Sequence, residues 1–324
     1  MRMACQARDE TATGALLLGA FGSVSLTIRE TLSRKVRCPM PHTEHKIMPP
    51  EMPEPVPGFP NFGYLALHGV DNARDLGGMP AADGKRIRKR RLLRSGALGE
   101  ATAADIKQLV RMHDMEYVVD LRAPLEVERT PDPLPLLSGV EYVSLPPLPD
   151  GAIITVGRMS VAKDKKLMQE FTGHPFETIK DLYPKAILGE LGIEAYGRFL
   201  HDLLEAEEGA TLWHCTQGKD RTGIAAILVE HALGVPHEVI VADYLATNLF
   251  ISGWMARMER LLRATHLAKG LDADIEAYAY AHTVYFEAAM DAMRGVFGSV
   301  DAYLERELDF GEAEKRQLRM MYLE

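Results

Sequence analysis

Cysteine is scarce in this sequence, and long apolar runs are missing. The 324 residues include only three cysteines, Cys5, Cys38 and Cys215. Three cysteines cannot form the disulfide framework of a small secreted domain, so the composition favours a reducing compartment. No apolar run is long enough to cross a bilayer, and we expect no transmembrane segment. These two deficits favour a cytoplasmic location over export.

Positive charge is also in deficit. The chain carries 46 acidic and 37 basic residues, for a net charge of −9 with neutral histidines. A protein with this balance lacks the overall basic field of nucleic-acid-binding proteins, so we expect no nucleic-acid partner. The hydrophobic fraction, 47%, is ordinary for a globular protein and sufficient for a sizeable core. Nothing in the composition indicates an oligomeric state.

Composition divides the chain into three segments. Residues 1–47 contain a short apolar run, but acidic residues precede it and no small-residue cleavage site follows. We therefore expect a disordered extension, or a functional start at Met48, rather than a signal peptide. Residues 48–60 contain six prolines, which predict an extended linker. The folded domain is expected to occupy residues 61–324.

Buried strands alternate with helical patterns in the first part of the domain. Tyr117–Leu121 and Val140–Leu145 have the apolar, β-branched composition of strands, as does Ala210–Trp213. This alternation predicts an α/β fold with a mostly parallel central sheet flanked by helices. Ligands bind beyond the carboxyl ends of such strands, where Asp120 and Cys215 both fall.

The chain from residue 224 onward is predicted to be almost entirely helical. Apolar residues spaced three and four apart predict an amphipathic helix, and they are Ile224, Ile227, Leu228 and Ala232. The later helices are expected at Pro236–Asn248, Trp254–Leu267, Asp274–Met293, Val300–Leu308 and Gly311–Tyr322. Residues 146–190, by contrast, contain several prolines and are predicted to be irregular.

The most informative stretch is His214–Gly223, a turn between a buried strand and a helix N-terminus. Free N–H groups of the first helical turn converge at such a point, and the helix dipole favours an anion there. Gly218 and Gly223 are expected to let the backbone bend around a bound group, and Arg221 offers a planar fork for two phosphate oxygens. Cysteine in such a surrounding ionises readily, so we expect Cys215 to be a thiolate that attacks phosphorus.

The pattern His-Cys-x5-Arg-Thr-Gly in this stretch resembles the phosphate-binding loop of cysteine-dependent protein tyrosine phosphatases. Its inner Gly-Lys-Asp narrows the resemblance to the atypical, mostly bacterial branch, which acts on phosphotyrosine, sometimes phosphoserine or phosphothreonine, and phosphoinositides. Further motifs match the same branch in the same order, and they are Asn72–Gly78, Arg94–Leu98, Asp120–Arg122, Asp243–Leu245 and Gly298–Leu304. The resemblance covers about residues 60–324. It implies a tyrosine-phosphatase-like fold whose C-terminal helices form a lid over the pocket.

The resemblance also implies roles for the loop residues. Cys215 would be the nucleophile, Arg221 would bind the phosphate, and Asp220 would be the general acid. An acid within an anion-binding turn opposes the local field unless it takes part in the reaction, which also favours Asp220. Asp120 is an alternative acid, as is Asp75, although either aspartate could instead pair with an arginine. Substrate binding would fall to the remaining loop positions, Thr216, Gln217, Gly218, Lys219 and Thr222.

Three loop residues have two interpretations each. Lys219 is either part of a charged rim or a group that binds additional phosphates of a polyphosphorylated substrate. Thr222 is either a simple helix-terminal hydroxyl or a donor to the thiolate. His214 is more often a structural histidine that supports the loop than a base.

The sequence therefore predicts a phosphate-monoester hydrolase that forms a cysteinyl-phosphate and needs no metal or other cofactor. Phosphotyrosine proteins are the expected substrates, with phosphoserine, phosphothreonine or phosphoinositides as further candidates. A pseudophosphatase that binds phosphorylated partners without turnover is the alternative, and the intact Cys215, Arg221 and Asp220 argue against it. A sulfur transferase or arsenate reductase would lack the Thr-Gly pair and would need a resolving cysteine.

Overall fold

The computed structural model describes residues 51–150, 152, 175–206, 208–251, 253, 277 and 279–324. The strands of this part are β1 (Arg74–Asp75), β2 (Leu92–Ser95), β3 (Met115–Asp120), β4 (Glu141–Ser144) and β5 (Ala210–His214). The helices that precede β5 are α1 (Ala103–Met112), α2 (Pro124–Arg129), α3 (Pro175–Lys180), α4 (Leu182–Leu188) and α5 (Glu190–Glu205). Those that follow it are α6 (Asp220–Ala232), α7 (His237–Phe250), α8 (Thr283–Phe297), α9 (Val300–Glu307) and α10 (Glu312–Tyr322).

The strands form one sheet in the order β1-β2-β5-β3-β4. Only β1 pairs in the antiparallel sense, which confirms the prediction of a mostly parallel sheet flanked by helices. Ser95 of β2 and Asp120 of β3 both lie in register with His214 of β5. Three neighbouring strands therefore end together, and Cys215 follows at their common carboxyl edge.

Helix α6 lies at the centre of the structure and is buried on all sides. The predicted amphipathic pattern was wrong for this helix, because Ala225, Ala226 and Val229 are buried together with the expected apolar face. The sheet covers one side of α6, and α5 and α7 pack against the others. A helix enclosed by a sheet and by other helices has no solvated face and is apolar all round.

Helical structure also occupies part of the segment that was predicted to be irregular. Residues 175–188 form α3 and α4, with Pro184 as the third residue of α4. The first four N–H groups of a helix have no partner within the helix, so a proline is tolerated in the first turn. The earlier part of the predicted irregular segment lies mostly outside the described residues.

The predicted helix Asp274–Met293 is interrupted in the structure and ends later than predicted, since Ala277 and Ala279 are helical but residues 280–282 are not. Ala281 and His282 are not helical, and α8 runs from Thr283 to Phe297. The cause is Asn248 of α7, whose side chain accepts a hydrogen bond from the Ala281 N–H and donates one to its carbonyl, at 2.7 and 2.9 Å. Because the N–H and the carbonyl of Ala281 both bond to this side chain, neither needs a hydrogen-bond partner within a helix. The predicted helix Trp254–Leu267 lies outside the described residues.

The described part of the predicted linker packs on the domain. Val56 and Phe59 are buried in the core, and Asn248 donates to the Glu51 carbonyl at 2.7 Å. The proline-rich segment is therefore extended, but it packs against the domain and is not a free linker. Among the helices of the described residues, none combines the length and the apolar character needed to cross a bilayer.

A buried ionic cluster joins the sheet to α7. Both oxygens of Asp243 bind arginines, with Arg74 at 2.6 Å and Arg94 at 2.5 Å. Asp75 takes no part in this cluster and instead accepts the backbone N–H groups of Gly77 and Arg90. All three members of the cluster are buried, so each charge depends on the others for compensation.

We predict that Asp243→Asn destabilises the fold by about 3 kcal/mol or more, because two buried guanidinium groups lose the carboxylate that binds them both. Urea unfolding measures the change. Asp114→Asn is the control, because the side chains of Asp114 and its partner Arg90 are 53% and 55% exposed. Such a surface pair contributes about 1 kcal/mol or less. Equal losses in the two variants would contradict the importance of the cluster.

Candidate active site

The cysteine loop, residues 214–223, begins at the end of β5 and continues into the first turn of α6. Gly218 adopts a φ of +69°, and a Cβ on this residue would lie 2.5 Å from the Ser95 carbonyl oxygen. Only glycine is accommodated there. Asn72 and Arg94 both donate to the Gly218 carbonyl, at 2.9 and 3.0 Å. The loop is thus held from below by the strands and by the buried ionic cluster.

Gly223 has a different role from the one predicted. It lies within α6 rather than in the turn, and a Cβ there would lie 3.2 Å from the Tyr244 ring. Its missing side chain allows α7 to approach α6. The first turn of α6 has no side-chain cap, so its N–H groups remain available to an anion.

Arg221 is bound by a residue that the sequence did not indicate. Glu126 of α2 holds the guanidinium with both oxygens, Oε2 at 2.5 Å from Nη1 and Oε1 at 2.9 Å from Nη2. The same carboxylate accepts the Thr216 hydroxyl at 2.6 Å. Burial alone would raise the pKa of Glu126, but Arg221 outweighs burial and lowers the pKa to about 2. Glu126 is therefore an anion across the working range of pH.

Two buried polar atoms in the first turn of α6 lack a hydrogen-bond partner among the described residues. They are Nε of Arg221 and Oγ1 of Thr222. Glu126 engages the far edge of the guanidinium, so the edge that carries Nε is left for a ligand. Buried donors without partners are costly and often mark a site where a ligand completes the hydrogen bonds. Cys215 lies in the cysteine loop and is 3% exposed.

A second buried cluster lies behind the loop, at the end of β3. Arg122 binds Asp120 at 2.6 Å and Asp132 at 2.9 Å, and His214 lies 2.9 Å from Asp132. Burial would raise the pKa of Asp120, but His214 and Arg122 outweigh it and lower the pKa to about 2. Burial likewise opposes the charged form of His214, yet Asp120 and Asp132 raise its pKa above the ordinary value.

The same cluster contains the one set of potential metal ligands found among the described residues. Ligand atoms of Asp120, Asp132 and His214 lie within 4.8 Å of one another. Arg122, however, already bridges the two carboxylates and supplies the compensating charge. We therefore regard the cluster as an ionic support for β5 and the loop that follows it, and not as a metal centre.

Asp220, the first residue of α6, is partly exposed, in contrast to the fully buried Asp120. Its Oδ1 accepts the Tyr183 hydroxyl at 2.7 Å and lies 3.6 Å from the Lys219 ammonium nitrogen. The side chain of Asp220 is 21% exposed. Of the two acids, only Asp220 lies within the loop and retains contact with solvent.

Lys219 is not part of a charged rim, because its side chain is completely buried. The ammonium donates to the Tyr280 carbonyl at 3.3 Å and lies 5.8 Å from the centre of the Tyr285 ring. Burial lowers the pKa of Lys219, although Asp220 acts in the opposite direction. Gln217 and Thr216, the remaining predicted contact residues, are partly exposed at the mouth of the loop.

Known proteins resemble this chain over most of its length. The model of the tyrosine phosphatase family matches residues 65–324. The chain belongs to the tyrosine phosphatase family. A Cupriavidus necator protein that bears the name of a tyrosine-protein phosphatase is 35% identical over 264 residues, which cover 80% of this chain and 88% of the relative. The phosphatase described here is therefore a hydrolase of the same kind.

Two further relatives support this assignment. The triple specificity protein phosphatase PtpB of Mycobacterium tuberculosis is 28% identical over 79% of this chain and 98% of its own length. A tyrosine-protein phosphatase of Nostoc commune is 26% identical over 74% of this chain and 77% of its own. The region matched by the family model, residues 65–324, contains the cysteine loop and both buried clusters.

Several residues of the site gave no usable signal in the sequence. Glu126 occurs as an ordinary acidic residue in the first turn of a short helix, and Asp132 lies between two prolines. Tyr183 falls in the segment that was predicted to be irregular. Asn72, Arg94 and Asp243 were noticed only as members of familiar motifs, with no role attached. Each of these residues acts through a partner that is distant in the chain, which a single sequence does not show.

We predict that Glu126→Gln lowers the free energy of unfolding by up to about 3 kcal/mol at neutral pH. A carboxylate whose pKa is lowered on folding contributes stability above its unfolded pKa, near 4.5, and loses it as the pH falls towards about 2. The difference between the two proteins should therefore shrink over that interval. Urea unfolding at several pH values measures it.

Glu128→Gln on the same helix is the matched control, because Glu128 is exposed. It should behave as the unmodified protein at every pH. A difference for Glu126→Gln that is independent of pH would contradict the ion pair with Arg221.

Proposed function

We propose that this phosphatase hydrolyses phosphate monoesters through a Cys215 phosphoenzyme, with phosphotyrosine proteins as its main substrates. The observation that carries the proposal is the free edge of Arg221. Glu126 fixes the guanidinium from one side, and the buried Nε remains without a described partner beside the uncapped first turn of α6. A dianionic phosphoryl group satisfies these donors, and it would then lie in the loop that carries Cys215.

The reaction proceeds in two displacements. The Cys215 thiolate attacks phosphorus, the bond from phosphorus to the ester oxygen breaks, and Asp220 gives its proton to the departing oxygen. Water then attacks the cysteinyl-phosphate, Asp220 takes a proton from that water, and the bond from phosphorus to sulfur breaks to return the thiolate. The Thr222 hydroxyl is buried without a described partner, and its proposed role is to donate to the departing thiolate. No step uses a metal or another cofactor.

Asp220 is preferred over Asp120 as the acid for a physical reason. The Asp120 carboxylate binds Arg122 and the Tyr142 hydroxyl, is completely buried, and has a pKa lowered to about 2. Such a group cannot hold a proton at neutral pH. Asp220 has one oxygen engaged by Tyr183 and keeps a partly exposed side chain.

The surroundings of Lys219 favour phosphotyrosine over phosphoinositides. The buried ammonium contacts the Tyr280 carbonyl, so it would have to leave this contact to reach additional phosphates. One relative is named a triple specificity protein phosphatase, which keeps phosphoserine, phosphothreonine and lipid phosphates among the substrates to be tested. A pseudophosphatase would bind phosphotyrosine and turn over no ester.

We predict that Cys215→Ser reduces turnover by a factor of about 10³ or more, because a serine hydroxyl does not ionise at neutral pH. Binding of a phosphotyrosine peptide should survive. Hydrolysis of p-nitrophenyl phosphate in the presence of EDTA and calorimetric titration of the peptide measure the two effects. Cys38→Ser is the control and should retain full activity. Binding without turnover by the unmodified protein would establish the pseudophosphatase instead.

We also predict that Asp220→Asn slows esters with basic leaving groups by about 10² or more, and slows esters with acidic leaving groups much less. Phenyl phosphate and 2,4-dinitrophenyl phosphate provide the two extremes. The alkaline limb of the pH–rate profile should disappear in the variant. If all esters slow equally and the limb persists, Asp220 only shapes the loop and Asp120 becomes the candidate acid.

A further inference from the structure

Two buried tyrosines form a hydrogen-bonded chain that ends on Asp220. Tyr183 belongs to α4 and Tyr244 to α7, and their hydroxyl oxygens lie 2.6 Å apart. The Tyr183 hydroxyl also lies 2.7 Å from Oδ1 of Asp220. Both tyrosines are at most 1% exposed. Residues from three helices are therefore linked by a chain of two hydrogen bonds that ends on one carboxylate oxygen of Asp220.

The hydrogens in this chain can be assigned by counting. The Tyr183 hydroxyl has one hydrogen, and an ionised Asp220 can only accept, so Tyr183 donates to Oδ1. The bond between the two tyrosines must then use the hydrogen of Tyr244. Lys219 also lies on the Oδ1 side, at 3.6 Å. No hydrogen bond from a described residue engages Oδ2.

We propose that Tyr183, supported by Tyr244, positions Asp220 so that Oδ2 carries the proton given to the leaving group. The inference rests on the proposed role of Asp220 as the general acid. If Oδ1 carried the proton, both tyrosine hydroxyls would have to reverse the direction of their hydrogen bonds. A proton on Oδ2 leaves these two hydrogen bonds unchanged. The same oxygen takes the proton from water in the second displacement. Tyr183 is thus a positioning residue, which acts on the substrate only through Asp220.

The surroundings of Tyr183 suit a fixed donor. Its ring stacks on Tyr285 with centroids 5.9 Å apart and meets Tyr244 edge-on at 6.5 Å. Burial, together with the Asp220 charge, raises the pKa of Tyr183 well above its ordinary value. The hydroxyl therefore keeps its hydrogen at any pH at which the enzyme works. The other ionisable groups with which Asp220 interacts electrostatically are Lys219, Arg221, Tyr196 and Tyr244.

Tyr183→Phe tests the proposal, because it removes one hydroxyl and keeps the ring. We expect kcat on phenyl phosphate to fall about ten-fold, while kcat on 2,4-dinitrophenyl phosphate changes by less than about two-fold. Tyr244→Phe should give the same pattern with smaller changes, since Tyr183 can still donate.

Tyr303→Phe is the matched control. Its buried hydroxyl donates to the Ile187 carbonyl at 2.9 Å and so anchors the same helix, α4, without touching Asp220. This variant loses a comparable hydrogen bond but should leave the rates on both esters and the pH profile unchanged. Thermal unfolding of all variants shows whether they are folded, and if Tyr183→Phe is not, Tyr244→Phe provides the result.

The double variant Tyr183→Phe/Asp220→Asn separates positioning from a merely structural role. It should be no slower than Asp220→Asn alone, because the tyrosine acts only through the acid. An additional loss in the double variant, or an equal loss on both esters in Tyr183→Phe, would overturn the inference. If Asp220→Asn itself shows no dependence on the leaving group, then the assignment of the acid is wrong. If only Asp220→Asn shows that dependence, the error lies in the role of the tyrosines.

Discussion

The contact between Arg221 and Glu126 is the interaction on which the site depends. An arginine that binds phosphate must be buried beside the reacting group, yet a buried guanidinium without a counter-charge is costly. Glu126 compensates it in the absence of substrate through two hydrogen bonds, at 2.5 and 2.9 Å. Because Glu126 also accepts the Thr216 hydroxyl, one carboxylate binds both Thr216, the residue after Cys215, and Arg221. The loop is consequently preorganised, with no need to assemble around its ligand.

Two ionic clusters support this arrangement from opposite directions. Asp243 with its two arginines lies beneath Gly218, and Arg122 with Asp120, Asp132 and His214 lies behind the strand that delivers the cysteine. In each cluster the charges largely compensate one another within a buried space. Apolar side chains could fill such volumes with equal or greater stability, but they could not hold a turn of peptide groups by its carbonyl oxygens. The motifs that the sequence shares with known phosphatases are in large part the components of these supports.

The sequence predicted the parts of the molecule that depend on neighbouring residues. The turn after Trp213, the parallel sheet and the positions of Cys215 and Arg221 in the loop follow from local pattern and from a contiguous motif. The sequence did not predict Glu126, Asp132 or Tyr183, because their contacts form only in the folded chain. Glu126 and Arg221 are 95 residues apart, and Tyr183 and Asp220 are 37 residues apart. Long-range contacts also explain the break in the predicted helix at residues 280–282, where the Asn248 side chain of α7 binds the backbone of Ala281. Lysine is usually a surface residue. That Lys219 is buried becomes clear only from the packing of residues 280–285 against it.

The double engagement of Arg221 by Glu126 has a consequence for the end of the catalytic cycle. Two of its three nitrogen atoms are already satisfied in the free enzyme, so inorganic phosphate gains less from this arginine than a free guanidinium would offer. Tight binding of ester and product alike would lower the Michaelis constant without raising the turnover number. A partly satisfied arginine avoids that outcome. In the proposed reaction, such an arginine would orient the phosphoryl group while adding less to the affinity for the released phosphate.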